Sequence, residues 1–573
     1  MATTSGINSS MFTVDKNGKL NVGGIASGID SKAIIDSLML ARRQPAVQIE
    51  AKITANTAKI SALTDFKTQM NSVVSALDKL RANPGSSTNV FNTKAVSGTT
   101  KAASGTPSDI DSLLIASVGP EAQNMSHTIK IHSLAAAHQV RSDAVASTSS
   151  TLTDLGLAPG DITIGGKTIS LSATDTLLDV RAKINNAGAG VTASIVSSGP
   201  TSHYLVLTST KTGVDNAMAI GGSAALTDGL GLTANGGVDI KNELVEASNA
   251  VIDVDGIEGI ERATNSISDV LSGVTLSLLK AEAGTTITLK VEPDLTAIKS
   301  AVYDFVDAYN TVRDYMAEQR TAADWNDDGV VGDSEFGPLA YDQLLRDTLS
   351  KLTSMVAGSV DGASDGFASL GQVGVVMGAD YKLKVDDTIL DGKLLSNVDG
   401  LKELFAFGSS VSDSRVTVLA RGGASESGNY TLNITGTDAD GNVTGATWNG
   451  EAMTINGRTL TAPDGTRIFF NGGANLGAVN GVTVSMSRGL ADQFYDGFKD
   501  MTTTATGSID TQVSQLQLQN TDFKDRVTVM DDRLDVARTL LEAKYSAMEV
   551  ALARLQTLQQ TIESYANSLN QKS

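Results

Sequence analysis

The chain has 573 residues, enough for about four domains, and sets 44 Lys plus Arg against 64 Asp plus Glu for a net charge of -20. A surface that acidic repels phosphate backbones and anionic headgroups, so neither nucleic acid nor a membrane is an expected partner. Cysteine is absent, which excludes disulfides, thiolate zinc sites and cysteine nucleophiles, and four His with 4% aromatics are too few for an ordinary enzyme pocket.

Residues 1–40 read as a flexible N-terminal export segment. Their opening, MATTSGINSSMFTVDKNGKL, carries neither the basic start nor the apolar stretch of a Sec-type signal. A leg helix is expected over 41–83, because Ile49, Ile53, Asn56, Ile60, Leu63, Lys67, Met70, Val74 and Leu77 recur at heptad-like spacing until Asn83-Pro84-Gly85 stops it. Short alternating runs then mark strands at Ile129/Ile131, Ile162/Ile164, Ile169/Leu171, Leu205/Leu207 and Ile287/Leu289/Val291, with one helix near 176–186. These runs divide into a first head domain (84–126 and 235–295) and a second inserted in it (127–234).

Helix resumes over 296–410, where Ile298, Val302, Phe305, Tyr309, Val312 and Met316 share one face. A further β-rich block follows at 411–488, with hairpin signals at Asn456-Gly457, Asp464-Gly465 and Asn471-Gly472. From 489 to 573 the chain is a coiled-coil helix and tail. Its seam runs Ile509, Val513, Leu516, Asn520, Phe523, Val527, Met530, Leu534, Ala537, Leu541, Tyr545, Met548, Leu552, Leu555. The expected fold is α+β and multidomain: a helical coiled-coil leg built from both chain termini, carrying mainly β head domains as insertions. Asn56, Lys67 and Asn520 are polar positions on apolar seams, suited to setting helix register or to lying solvated where the seam frays.

One local motif carries chemistry. Asp324-Trp-Asn326-Asp-Asp328-Gly-Val330-Val-Gly-Asp-Ser-Glu335 fits the calcium-loop pattern D-x-[DN]-x-[DN]-G-x5-E at every specified position. Asp324, Asn326 and Asp328 would supply side-chain oxygens, Val330 its carbonyl and Glu335 two more, the oxygen set that a hard cation needs. The competing reading is an acidic turn between two leg helices, and Gly337-Pro338 follows too soon for an ordinary exiting helix. Asp438-Ala-Asp440-Gly441-Asn442 reads as a turn. Gly362-Ala-Ser364-Asp-Gly366 fits a nucleophile pattern, but without the strand that makes an elbow, and reads as a loop. His127 and His132 fall on opposite faces of one strand, which spoils a shared metal site. No catalytic constellation is found.

Several stretches, in order, resemble the flagellar hook-associated protein 2 family, the flagellar filament caps. GGIASGIDSKAIIDSLMLARRQP (Gly23 to Pro45) is similar to its opening motif and AVIDVDGIEGIERATNSISDVLSGVTLSLL (Ala250 to Leu279) to its most recognisable stretch. FVDAYN (Phe305 to Asn310), GPLAYD (Gly337 to Asp342), LKVDD (Leu383 to Asp387), LKELF (Leu401 to Phe405) and YSAME (Tyr545 to Glu549) resemble further landmarks. Residues 127–140 and 176–213 look like the small domain shared with flagellins, whereas 411–488 departs from smaller members. The resemblance implies a homo-oligomeric ring at the extracellular distal tip that retains exported flagellin and promotes its insertion, without enzymatic chemistry. It also implies a flagellar type III export apparatus and export chaperone, and hook-junction proteins, as partners, while calcium would be structural. Two other classes stay open: another flagellar axial protein, or a secreted calcium-binding adhesion or interaction protein with the β insertions as its working part.

Overall fold

The computed structural model describes residues 12–14, 20–22, 28–82, 88–321, 323, 336–360 and 363–570. The chain divides into two compact units, Met1–Thr88 with Ala301–Ser573, and Asn89–Ser300.

The first unit is built on two long helices. The N-terminal helix, Ser31–Leu80, opens with Asp30 accepting the Ala33 amide as N-cap. Part of the segment assigned to a flexible terminus is therefore helical from Ser31, ten residues before the expected start. Pro45 lies inside this helix, where it removes one backbone donor. The C-terminal helix, Ser508–Asn570, is 63 residues long, or about 95 Å. The two run antiparallel: Lys67 meets Asp510 at 2.6 Å, Arg43 meets Asp531 at 3.0 Å and Asp36 meets Arg538 at 2.6 Å. Ile35, Met39, Ala46, Ile49, Leu63, Phe66 and Met70 are buried along the N-terminal helix, the side its heptad spacing selects. Residues 301–318, Gln343–Ala357 and Leu490–Thr502 add helices around its C-terminal half, where Phe305, Tyr309, Leu352 and Phe498 are buried.

The same unit carries the third β-rich block as a sandwich. A five-stranded sheet has the order 407–411, 479–488, 428–437, 443–448, 451–452, and a four-stranded sheet the order 416–420, 467–470, 459–461, 454–456. Leu432, Ile434, Trp448, Leu460, Ile468, Phe470, Val482 and Val484 share one core between them. The chain enters on Phe407–Val411 and leaves on Val479–Arg488, and those two strands are paired neighbours.

The second unit holds two β cores. One joins a five-stranded sheet (257–262, 250–254, 126–133, 285–293, 94–102) to a three-stranded one (266–271, 274–278, 114–118). The other combines 243–245, 139–141, 202–209 and 191–199 with the sheet 220–222, 160–164, 167–171 and the helix Leu177–Asn186, which Thr176 and Asp179 close with a capping box. The boundaries expected at 127 and 234 shift here. Ser126–Ser133 pairs with Ala250–Val254 and Thr285–Pro293, and Ile129 and Ile131 share a core with Ile252 and Ile287. Conversely, Glu243–Val245 pairs with Gln139–Arg141. By strand pairing the inserted domain runs from about 139 to 245, because alternation assigns a residue to a face and not to a sheet.

Candidate assembly surfaces

The helix pair is held by polar contacts set into an apolar seam. Asn56 donates to Asn520 at 3.0 Å, and Asn520 in turn reaches the Thr57 hydroxyl at 3.4 Å. The Lys67 ammonium lies against Asp510 and, together with the Ala505 amide, holds that carboxyl below its ordinary range. All three polar seam positions singled out in the sequence thus have partners on the opposite helix. The apolar seam of the C-terminal helix is half-buried as far as Tyr545. Met548 and Leu555, expected in the same seam, are instead 37% and 61% exposed. Between them Glu549 is buried and Leu552 half-buried.

The residues of the calcium-type loop, Asp324, Asn326, Asp328, Val330 and Glu335, lie outside the described residues, as does Trp325. What flanks them is described. Gln319, nearly fully buried, accepts the Gly337 amide on its backbone carbonyl at 2.9 Å and the Leu339 amide on its side chain at 3.1 Å. The two ends of the loop therefore meet, and the following helix starts at Gln343, beyond Gly337-Pro338. Asp342 caps that helix and binds Lys59 at 2.6 Å and Gln512 at 2.7 Å. Burial pushes its carboxyl up, but these partners outweigh burial and hold it low. Among the described residues no group of three His, Asp or Glu could hold a metal ion.

The remaining candidates have structural roles. Ser364 donates to Glu403 at 2.7 Å, with no His in the arrangement, and Gly362 lies outside the described residues. Asp438 accepts the amides of Asp440 and Asn442, the turn its sequence predicted. Trp448 is buried in the sandwich core, stacked on Tyr430 with ring centroids 4.8 Å apart. His127 is buried against Asp255 at 2.7 Å, while exposed His132 contacts Asp253 at 2.8 Å.

Sequence reading missed one feature, the ion-pair cluster that fastens the sandwich to the helix Leu490–Thr502. Arg421 and Arg488 converge on Asp492, which is 2% exposed, at 2.9 Å each, and Arg421 also reaches Asp496 at 2.5 Å. Burial works against the Arg421 charge, yet its hydrogen bonds to Asp496 and Asp492 keep it firmly protonated. The only local trace was the Arg488–Asp492 spacing of four.

Comparison with known proteins places these features. The family model for the flagellar hook-associated protein 2 C-terminus matches residues 247–557, that for its N-terminus residues 27–138, and the flagellin hook IN motif residues 160–211. The gap between the first two coincides with the inserted domain bounded by strand pairing. The flagellar hook-associated protein 2 of Escherichia coli (strain K12) is 30% identical over 393 residues, covering 66% of this chain and 79% of that protein. Its counterpart in Salmonella typhimurium is 34% identical over 242 residues, covering 41% of this chain and 50% of that protein. The crystal structure of the flagellar cap protein FliD D1-D2-D3 domains from Escherichia coli is 27% identical, covers 61% of this chain and 89% of that one, and superposes with a TM-score of 0.43.

Proposed function

The chain belongs to the flagellar hook-associated protein 2 family, the caps of bacterial flagellar filaments, and from that premise we propose how it works. Several copies form a ring at the extracellular distal tip of the filament. The ring retains flagellin subunits as they are exported and promotes their folding and insertion. The action is steric and conformational, and no covalent step is involved. The chain reaches the tip through the flagellar type III export apparatus, escorted by an export chaperone, and first assembles on the hook-junction proteins. The observation that carries this reading is the family match over 247–557, more than half the chain.

The 324–335 loop serves this architecture as a calcium staple. Its support is the complete twelve-position oxygen pattern and the joining of its two flanks at Gln319 and Gly337. The ion would fix a helix–loop–helix and would not act as a sensor.

The test is deletion of the gene in its host, followed by assay of cells and medium for flagellin. Short or absent filaments with unpolymerised flagellin in the medium, restored when the purified protein is added back, are expected. Normal filaments would overturn the reading.

A further inference from the structure

The chain carries the dipeptide Asn-Gly six times, and four of the six lie within the sandwich: Asn449-Gly450, Asn456-Gly457, Asn471-Gly472 and Asn480-Gly481. In this dipeptide the side-chain amide is least screened from the next main-chain nitrogen, since glycine has no Cβ to stand between them. What holds the two groups in the fold then decides whether they can meet.

Three of the sandwich pairs are held. Asn449 accepts the Thr431 amide at 2.7 Å. Gly481 donates its amide to Asn433 at 2.7 Å. Asn471 accepts from Arg458 at 3.4 Å, and Gly472 sits so close to the Phe470 ring that a Cβ there would overlap it. Outside the sandwich, Gly236 donates its amide to Asp228 at 2.9 Å and the Asn235 carboxamide binds Asp239. Asn456 differs: it is exposed, and among the described residues nothing bonds to its carboxamide or to the Gly457 amide.

Its place in the sheet also leaves it room to move. Thr454–Asn456 is an edge strand of the four-stranded sheet, three residues long and paired there only with Thr459–Thr461. A short edge opens at less cost than an interior strand. Gly457 and Arg458 form the two-residue turn between these strands, with Gly457 in the left-handed region at φ 62°.

We propose that Asn456 is a site of spontaneous deamidation through attack of the Gly457 main-chain nitrogen on its carboxamide. That nitrogen gives up its proton and bonds to Cγ; the Cγ–Nδ2 bond breaks, and Nδ2 leaves with the proton as ammonia. Water opens the resulting five-membered imide, adding its hydroxyl to one ring carbonyl and its proton to the nitrogen. Opening at Cγ gives aspartate, whereas opening at the main-chain carbonyl gives isoaspartate and an extra methylene in the main chain. Both products carry a new negative charge. Isoaspartate also breaks the Asn456–Thr459 register and disturbs the turn whose Gly457 carbonyl accepts the Val443 amide at 3.0 Å. The sandwich edge thereby records the age of the chain, and the chemistry is independent of the capping role.

The full-length protein, kept folded in mildly alkaline buffer and sampled over days, is mapped by tandem mass spectrometry for aspartate and isoaspartate. Giving up one hydrogen bond before the ring closes slows closure by about two- to tenfold. Asn456 should therefore convert ahead of Asn235, Asn449, Asn471 and Asn480 by about that factor. In urea, where none of them is held, the same pairs should converge on one rate. Asn456→Gln, which would need a six-membered ring, should stay folded and lose the signal at that position alone. Conversion first at another described pair would overturn the proposal. So would an unchanged Asn456 in the folded chain after the unfolded chain has converted. The same ranking in urea would overturn it too, because sequence and not the fold would then set the order.

Discussion

Asn56 and Asn520 stand 464 residues apart in the chain, yet the side-chain amide of the first donates to the carbonyl oxygen of the second at 3.0 Å. The pair lies in a helix seam that is apolar but for it and the Lys67–Asp510 contact. Any shift of one helix by a turn would bury both amides against aliphatic side chains, and an unmet buried amide is costly. The contact therefore defines one register for the antiparallel pair.

Replacing Asn520 by Leu should strand the Asn56 amide and destabilise the protein by about 1–2 kcal/mol. The double variant Asn56→Leu/Asn520→Leu should recover most of that loss and relax the register. Thermal denaturation of the two single variants and the double one gives the coupling, and a double variant no more stable than the worse single one would refute the assignment.

The leg should contribute to the acid limb of stability. Asp342, held low by Lys59 and Gln512, and Asp510, held low by Lys67, both have folded pKa values below their unfolded value of 3.8. Their stabilisation is present above about pH 4 and is lost as pH falls through the folded values, since the unfolded chain then binds protons more readily. Asp342→Asn and Asp510→Asn should each lower the stability measured at pH 7 and flatten its decline below about pH 4. Denaturant melts from pH 7 to 2 would check this, and a decline as steep as in the unaltered chain would count against it.

At the base of the sandwich, Asp492→Asn would take from buried Arg421 and Arg488 the one buried carboxylate they share, leaving Arg421 to Asp496 and Arg488 to the exposed Glu426. Breaking such a buried pair costs about 3–5 kcal/mol. The loss should appear as early proteolytic cleavage around 407–411 and 488–490, the two points where the sandwich joins the helices, before the terminal helix pair melts.

Two glycines on the same helix and its cap should respond in opposite directions. A Cβ on Gly489 would run into the backbone of Phe405 and Ala406, whereas one on Gly497 meets nothing. Gly489→Ala should therefore destabilise by at least about 1 kcal/mol, while Gly497→Ala should stabilise by about 0.5–1 kcal/mol through helix propensity. Urea midpoints measure both.

If the 324–335 loop holds calcium as proposed, millimolar calcium should raise the midpoint of thermal unfolding, with half-saturation at about 10⁻⁴–10⁻³ M. Glu335→Gln should abolish the shift without altering the midpoint in chelator. Magnesium, which prefers a tighter octahedral set, should substitute poorly.

Local repetition was enough to place the two terminal helices, the strand faces and the polar seam positions. Ile129 and Ile131 point inward and Lys130 outward because a strand alternates wherever it pairs, and heptad spacing brought Ile49, Leu63 and Met70 to one side of a helix whatever covers it. Partner choice is a different quantity, fixed by contacts that close over hundreds of residues. Only the tertiary structure could give Ser126–Ser133 to the first β core and Glu243–Val245 to the second, since either strand would satisfy either sheet in pattern. The same holds for Arg421, whose buried role exists only because Asp492 and Asp496 arrive from another element. The C-terminal seam shows the division most plainly. Its spacing continues from Ile509 past Leu555 with one stutter, at Ala537, Leu541 and Tyr545, and gives no sign that the seam is half-buried as far as Tyr545 while Met548 and Leu555 lie exposed.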